Sequence, residues 1–357
     1  MTRARIDHGY RAVQLRTPVV SGRLGLRLLL ACIVLLAAAV AAAYAAVFLG
    51  DYPLTTADVT AALTGSADEF TTRVVREWRL PVAIAAVLFG LLLGIGGAIF
   101  QSLTRNPLGS PDVIGFDAGS YTAVVVVMLV LGAQHSWTIA VASIAGGLVT
   151  ALAVYLLAYR RGVQGFRLII VGIAVAAALG SINTYLITRA DVRDAMQVGF
   201  WGAGSLTRVT WTTLTPSLTL AVAIIAAAAV LAPALRSLEL GDDTASTHGT
   251  RVGASRLALL TVGVATTALV TAAAGPIGFV ALVAPQLARR VTRTPGVSIL
   301  AAGAMGAALL AAAHLLSQVL SVIYRPVPVG LLTICVGGVY LIVLLVRESR
   351  APAGGPR

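Results

Sequence analysis

The sequence predicts an all-α polytopic membrane protein of about ten spans, on three observations. Of 357 residues, 58% are hydrophobic and 11% charged, with a mean hydropathy of +0.91, far from the composition of a soluble domain. Apolar runs of membrane length recur from one end of the chain to the other. The arginines fall mainly between alternate runs rather than on a polar domain.

A span needs roughly 20 apolar residues at about 1.5 Å rise each. Segments 28–49, 81–100, 136–158, 168–188, 214–235, 298–322 and 327–346 meet that length. Segment 118–132 is shorter and reads as a span that starts inside a polar stretch. The uncharged stretch between Arg256 and Arg289 is too short for two full spans, yet arginines at both ends put those ends on one side. Two short or tilted helices follow, broken at Gly275-Pro276, because proline interrupts the helical ladder and glycine weakens it.

With the amino terminus inside, about 19 of the 26 basic residues fall on cytoplasmic segments, as the positive-inside rule requires. Both termini are then cytoplasmic in a multi-pass cell-membrane protein. Trp78, Trp137, Trp201 and Trp211 fall at the outer interface. Residues 1–23 read as a loosely ordered polar arm, 24–347 as one transmembrane domain, and 348–357 as a frayed tail. Cys32 and Cys335 lie in apolar runs and read as packing residues without a disulfide.

Several function classes drop out. The net charge of +12 is spread over inner loops, so it implies contact with anionic lipid and no nucleic acid. The chain contains no lysine, so it has no phosphate-cradling Walker loop and any ATP dependence must come from a partner. No metal-ligand cluster, cofactor motif or nucleophile elbow is present, which leaves no catalytic residue and no enzymatic reading. No Asp or Glu falls in the middle of a predicted span, which weighs against an ion-coupled secondary transporter. Asn183 and His314 are intramembrane polar residues expected to hydrogen-bond between helices.

Three segments carry candidate function. The first follows Gln101: Thr104-Arg105-Asn106-Pro107-Leu108-Gly109-Ser110-Pro111-Asp112, with Gly115 and Asp117, leads straight into another apolar run. Non-helical backbone near membrane depth is tolerated only where protein buries it or water reaches it, so the segment suggests a passage. Thr104-Arg-Asn-Pro107 is echoed by Thr292-Arg-Thr-Pro295, a faint hint of related halves.

The second is the inner loop 236–256, in which Asp242 can cap a short helix and Gly249 can end it. Such a helix makes a rigid knob for a soluble partner. The third, Gly275 to Arg289 with Pro276 and Pro285, reads as a gate or as tight packing. On the outside, Arg73, Arg76 and Arg79 at steps of three, with Arg325, could attract acidic residues of an external protein or anchor the interface.

These residues resemble the FecCD/cobalamin-permease family of type II ABC importers. The matching positions are Arg79-Leu80-Pro81, Gly90, Gly97, Gln101, Asn106-Pro107-Leu108, Ser110-Pro111-Asp112 and Gly115. They continue with Leu240-Gly241-Asp242, Ala245, Gly249, Gly275-Pro276-Ile277-Gly278-Phe279, Pro285, Arg289 and Pro328-Val329-Gly330. The resemblance is greatest to ferric enterobactin-type siderophore permeases of actinobacteria. It implies a ten-span permease paired with a second permease, a homologue or itself, and with two cytoplasmic ATPases. An extracytoplasmic binding protein would deliver a ferric siderophore, or cobalamin or haem.

By the same resemblance, Leu240, Gly241, Asp242, Asp243, Ala245, His248 and Gly249 form the helix seated on the ATPase. Gln164-Gly165-Phe166 would lie near the cytoplasmic gate and Arg79 near the binding-protein dock. Val82, Pro326, His248 and Gln286 depart from the residues common in that family, respectively arginine, an acid, leucine and histidine.

Overall fold

The computed structural model describes residues 12–16, 21–112, 114–133, 135–159 and 165–350. Ten helices correspond to the ten expected spans: α1 (Leu26–Phe48), α4 (Leu80–Thr104), α5 (Phe116–Leu129), α6 (Ser136–Ala158), α7 (Gly165–Arg189), α9 (Trp211–Glu239), α11 (Val252–Ala274), α12 (Val280–Thr292), α13 (Ile299–Ile323) and α14 (Val329–Arg350). The uncharged 256–289 stretch is two helices, and α11 ends at Gly275 in an extended backbone of positive φ (φ 77°, ψ 176°) that glycine alone adopts readily. At 13 residues, α12 is about 20 Å long, well short of a roughly 30 Å hydrocarbon core. Four shorter helices lie between spans: α2 (Thr56–Thr64), α3 (Glu69–Arg73), α8 (Val192–Gly202) and α10 (Asp242–Thr247).

α4 is the axis of the bundle. With α3 and a π-helical turn at Val74–Arg79 it forms one 36-residue helical rod. Of its most apolar window 78% is buried, against 17–22% for α1, α6, α7 and α9. Small residues make this possible. A Cβ at Gly90 or Gly94 would run into the backbone of α13 at Gly306 and Ala302, and one at Gly97 into the Ala281 carbonyl of α12. That carbonyl is the one Pro285 leaves without its helical partner, since proline has no N–H to offer it.

Some expectations change. The amino-terminal arm is not wholly irregular: β1 (Ala12–Arg16) and β2 (Ser21–Gly25) pair antiparallel, Ala12 opposite Gly25. The alternation of Val13 and Leu15 with Gln14 and Arg16 suits a ribbon. Trp201 is buried and stacks on Tyr121 with ring centroids 6.0 Å apart, so it is a packing residue rather than an interfacial anchor. Cys335 is exposed on α14, whereas Cys32 is buried. Asn183 and His314 are buried as expected. Neither makes a side-chain hydrogen bond among the described residues, and His314 instead lines a cavity of about 300 Å³ beside Arg79 and Gln318.

Candidate functional site

The two broken stretches meet. α4 ends at Thr104, whose hydroxyl donates to Phe100 O at 2.7 Å, and Arg105 turns the chain in a left-handed conformation (φ 50°). Asn106 Oδ1 then accepts from Leu108 N at 2.9 Å, the side-chain-closed turn that asparagine favours before a helix restarts. The loop that follows is fastened to α12 at two points. Pro107 O accepts from Gln286 Nε2 (2.8 Å), and Asp112 Oδ2 accepts from Phe279 N (2.8 Å).

Phe279 is itself left-handed (φ 68°) and immediately precedes α12, so Asp112 satisfies one of the open amides there with a charge of the favourable sign. Gln101, buried in α4, donates to Leu282 O at 2.8 Å. Asp117 in the first turn of α5 accepts from Thr271 of α11 at 3.0 Å. Tyr340 of α14 donates to Gln286 Oε1 at 3.4 Å, bringing the last span into the same lattice.

Other predicted gate residues divide. Gly275 and Pro276 form the turn after α11. Trp201 O would block any Cβ at Gly275, and Pro276 O is pressed on Gly204. Pro285 is buried within α12. Gly165 starts α7 hard against the Thr104 backbone, so it does reach the end of α4. Phe166 beside it is 74% exposed. Gln164 lies outside the described residues.

The 236–256 loop holds the expected short helix. Gly241 (φ 114°) turns the chain out of α9, Asp242 and Asp243 occupy the first turn of α10, and Gly249 (φ 79°) turns it away again. Ala245 is wholly buried among Leu235, Leu238 and Leu259, which seats the helix. Leu240, Asp243 and His248 are exposed around it. Asp242 is the junction: its Oδ1 accepts from Arg105 at 3.0 Å and from Arg256 at 2.8 Å. Arg105 also donates to Leu238 O at 3.0 Å. Glu239, just before, accepts from Ser102 Oγ at 2.6 Å.

The short helix is thus tied to the residue that opens the broken loop. Composition and spacing give no sign of this. In the sequence Arg256 stands out only as a topology marker and Arg105 only as a member of the broken loop, although a cation at a helix end facing an acidic turn is a usable signal.

At the opposite end of the bundle the arginines are largely spent on the protein itself. Arg73 pairs with Glu69 (2.9 Å) and Glu77 (3.9 Å), and Arg76 donates to Leu63 O at 2.6 Å. Arg79 turns inward to Val47 O (2.7 Å) and Tyr52 O (2.5 Å), clamping the segment after α1. Arg325 is exposed and has no partner among the described residues.

Known proteins resemble this chain in sequence and in fold. The chain is 48% identical over 324 residues to the ferric enterobactin transport system permease protein FepG of Escherichia coli, covering 91% of this chain and 98% of that one. A probable siderophore transport system permease protein of Bacillus subtilis, YfhA, is 32% identical over 82% of this chain and 88% of its own. The iron(3+)-hydroxamate import system permease protein FhuB of Salmonella typhimurium is 33% identical over 276 residues, 76% of this chain but only 40% of that protein. A solved metal-chelate type ABC transporter in an inward-facing conformation superposes with a TM-score of 0.76 at 22% identity, covering 88% of this chain and 98% of that one. That structure bears on the fold alone. The profile of the FecCD transport family matches residues 27–347, so this multi-pass membrane chain belongs to the FecCD transport family.

Proposed function

We propose that this permease carries a ferric siderophore through the cell membrane, powered by ATPase subunits that dock on α10. The observation that carries the reading is the Asp242 junction, one carboxylate joining the exposed short helix to both Arg105 and Arg256. A push on α10 reaches the loop after α4 directly. From there it passes through Pro107 O and Gln286 to Tyr340 on α14. The cargo follows from likeness to FepG, with cobalamin or haem as the alternative cargo on the same architecture.

In this reading both termini and α10 are cytoplasmic, and a second permease, a homologue or a second copy, completes the pore. FhuB supports the pairing, because a 276-residue match fills only 40% of that protein and leaves room for a second unit of similar size. An extracytoplasmic binding protein would meet the other end, where Arg325 is unspent. Arg79 contributes there by holding the outer segment in shape.

Uptake of radiolabelled ferric enterobactin by iron-starved cells, with and without the gene, tests the cargo. Loss on deletion, restoration on complementation and no competition by cobalamin or haem are expected. Uptake should continue when ion gradients are collapsed and stop when ATP is depleted. Uptake unaffected by deletion would overturn the cargo, and uptake driven by an ion gradient alone would overturn the energy source.

A further inference from the structure

An open fissure of about 280 Å³ runs between α1, α4, α9 and α13. Its walls are aliphatic: Ile225, Ala229 and Ala232 of α9 face Leu91 and Ile95 of α4 and Gly303 of α13. One end differs. Arg236 stands there beside Ser298, Ile299 and Leu300, where α13 begins. Ser298 Oγ accepts from the Ala301 amide at 3.3 Å, which leaves the amides of Ile299 and Leu300 without acceptors among the described residues.

Arg236 is exposed and makes no ion pair or hydrogen bond among the described residues. Arg105 and Arg256 on the same side of the bundle are spent on Asp242, and Arg27 on Val291 O at 3.0 and 3.2 Å, while Arg293, also without a partner among the described residues, does not line the fissure. The neighbouring acid, Glu239, holds Ser102 Oγ and Val297 N and does not line the fissure.

Length identifies the occupant. From Arg236 to Ile225 the α9 wall is roughly 16 Å long at about 1.5 Å per residue. That is close to half of a roughly 30 Å hydrocarbon core, the depth of one leaflet. An aliphatic slot one leaflet deep, with a free guanidinium and open helix amides at its aqueous end, matches a phospholipid: a chain for the slot and a phosphate for the donors.

We propose that the fissure binds one anionic phospholipid, its acyl chain between α9 and α13 and its phosphate on Arg236 and the first amides of α13. α10 follows α9 directly, so the bound lipid braces the helix end from which α10 hangs. The lipid site rests only on the membrane-spanning fold. The bracing rests on the proposed role of α10.

The test is native mass spectrometry of the purified full chain, titrated with phosphatidylglycerol and phosphatidylcholine of identical acyl composition. Wild type is expected to bind one phosphatidylglycerol at least tenfold more tightly than phosphatidylcholine. Arg236→Gln should erase that preference while leaving weak binding of both lipids. Ala229→Phe should fill the slot and abolish both, and the milder Ala232→Leu serves if that variant aggregates. Arg293→Gln removes the same charge elsewhere on that side and should behave as wild type. The proposal fails if Arg236→Gln keeps the preference, if Arg293→Gln loses it equally, or if filling the slot changes nothing. Transport assays are not needed for this reading, so its failure is separable from failure of the importer assignment.

Discussion

Two helix ends in this protein are built alike and wired differently. α4 ends in Thr104-Arg105-Asn106-Pro107, and α12 in Thr292-Arg293-Thr294-Pro295. In both, the threonine hydroxyl donates to the carbonyl four residues earlier at 2.7 Å, and the arginine takes a left-handed conformation, φ 50° and 52°. The proline two residues on cannot continue a helix. Beyond the backbone the likeness stops. Arg105 reaches Leu238 O and Asp242, and Pro107 O holds Gln286, whereas the Arg293 side chain is exposed and has no partner among the described residues. How a helix terminates is written locally. What its end transmits depends on residues more than a hundred positions away.

The comparison is broken most severely at Asp242. Asp242→Lys would set a third cation between Arg105 and Arg256. Both ion pairs are partly exposed and hold at most about 1 kcal/mol each, about 2 kcal/mol together, too little to unfold the protein. We expect normal membrane levels but ferric siderophore uptake down at least tenfold, with weakened ATPase association on co-purification. Unchanged uptake would remove the junction from the mechanism. Arg105→Gln is milder, since it deletes one of the two pairs and the bond to Leu238 O. A loss of about 1 kcal/mol corresponds to roughly a fivefold fall in coupled transport, and Arg256 should sustain the remainder.

The wiring was invisible in the sequence for a reason that other residues share. The ten helices, the break at Gly275-Pro276 and the short helix beginning at Asp242 could all be read, because hydropathy and the rules for proline and glycine act over a few neighbouring residues. Side-chain direction between distant elements has no such signal. Arg79 reads in the sequence as a docking residue or an interfacial anchor, and nothing there signals that the π-helical turn at Val74–Arg79 brings it to Val47 O and Tyr52 O. Asp112 stood out as part of a polar stretch, but its partner, the Phe279 amide, lies 167 residues on. Asp117 fell just outside a predicted span, and it is buried against Thr271 all the same. Hydropathy averages over a window, so it cannot register one carboxylate admitted where α5 begins against the end of α11.

The link from the loop to α12 allows a sharper version of the comparison at Gln286. Gln286→Leu removes the donor to Pro107 O and the acceptor of one Tyr340 hydroxyl bond, and leaving a buried acceptor unsatisfied costs about 1–3 kcal/mol. Transport should fall a few-fold with little change in melting temperature. Gln286→His, the residue the family resemblance implies at this position, restores a ring N–H donor, and uptake should return close to wild type. If Leu and His behave alike, the donor to Pro107 O is not what matters there.

Arg293→Gln should do least. The variant keeps a long polar side chain at φ 52°, so the left-handed turn is strained no more than before, and the Thr292 hydroxyl bond to Ala288 O is untouched. With no partner to lose, the change should stay within about 0.5 kcal/mol, typical of surface substitutions. Uptake should match wild type within error. That null result gives the Arg105 measurement its meaning, because both variants remove one positive charge from the same position of the same helix-ending motif. If Arg293→Gln impaired transport as much as Arg105→Gln, the effect would belong to charge at helix ends in general, and the contact with Asp242 would explain nothing.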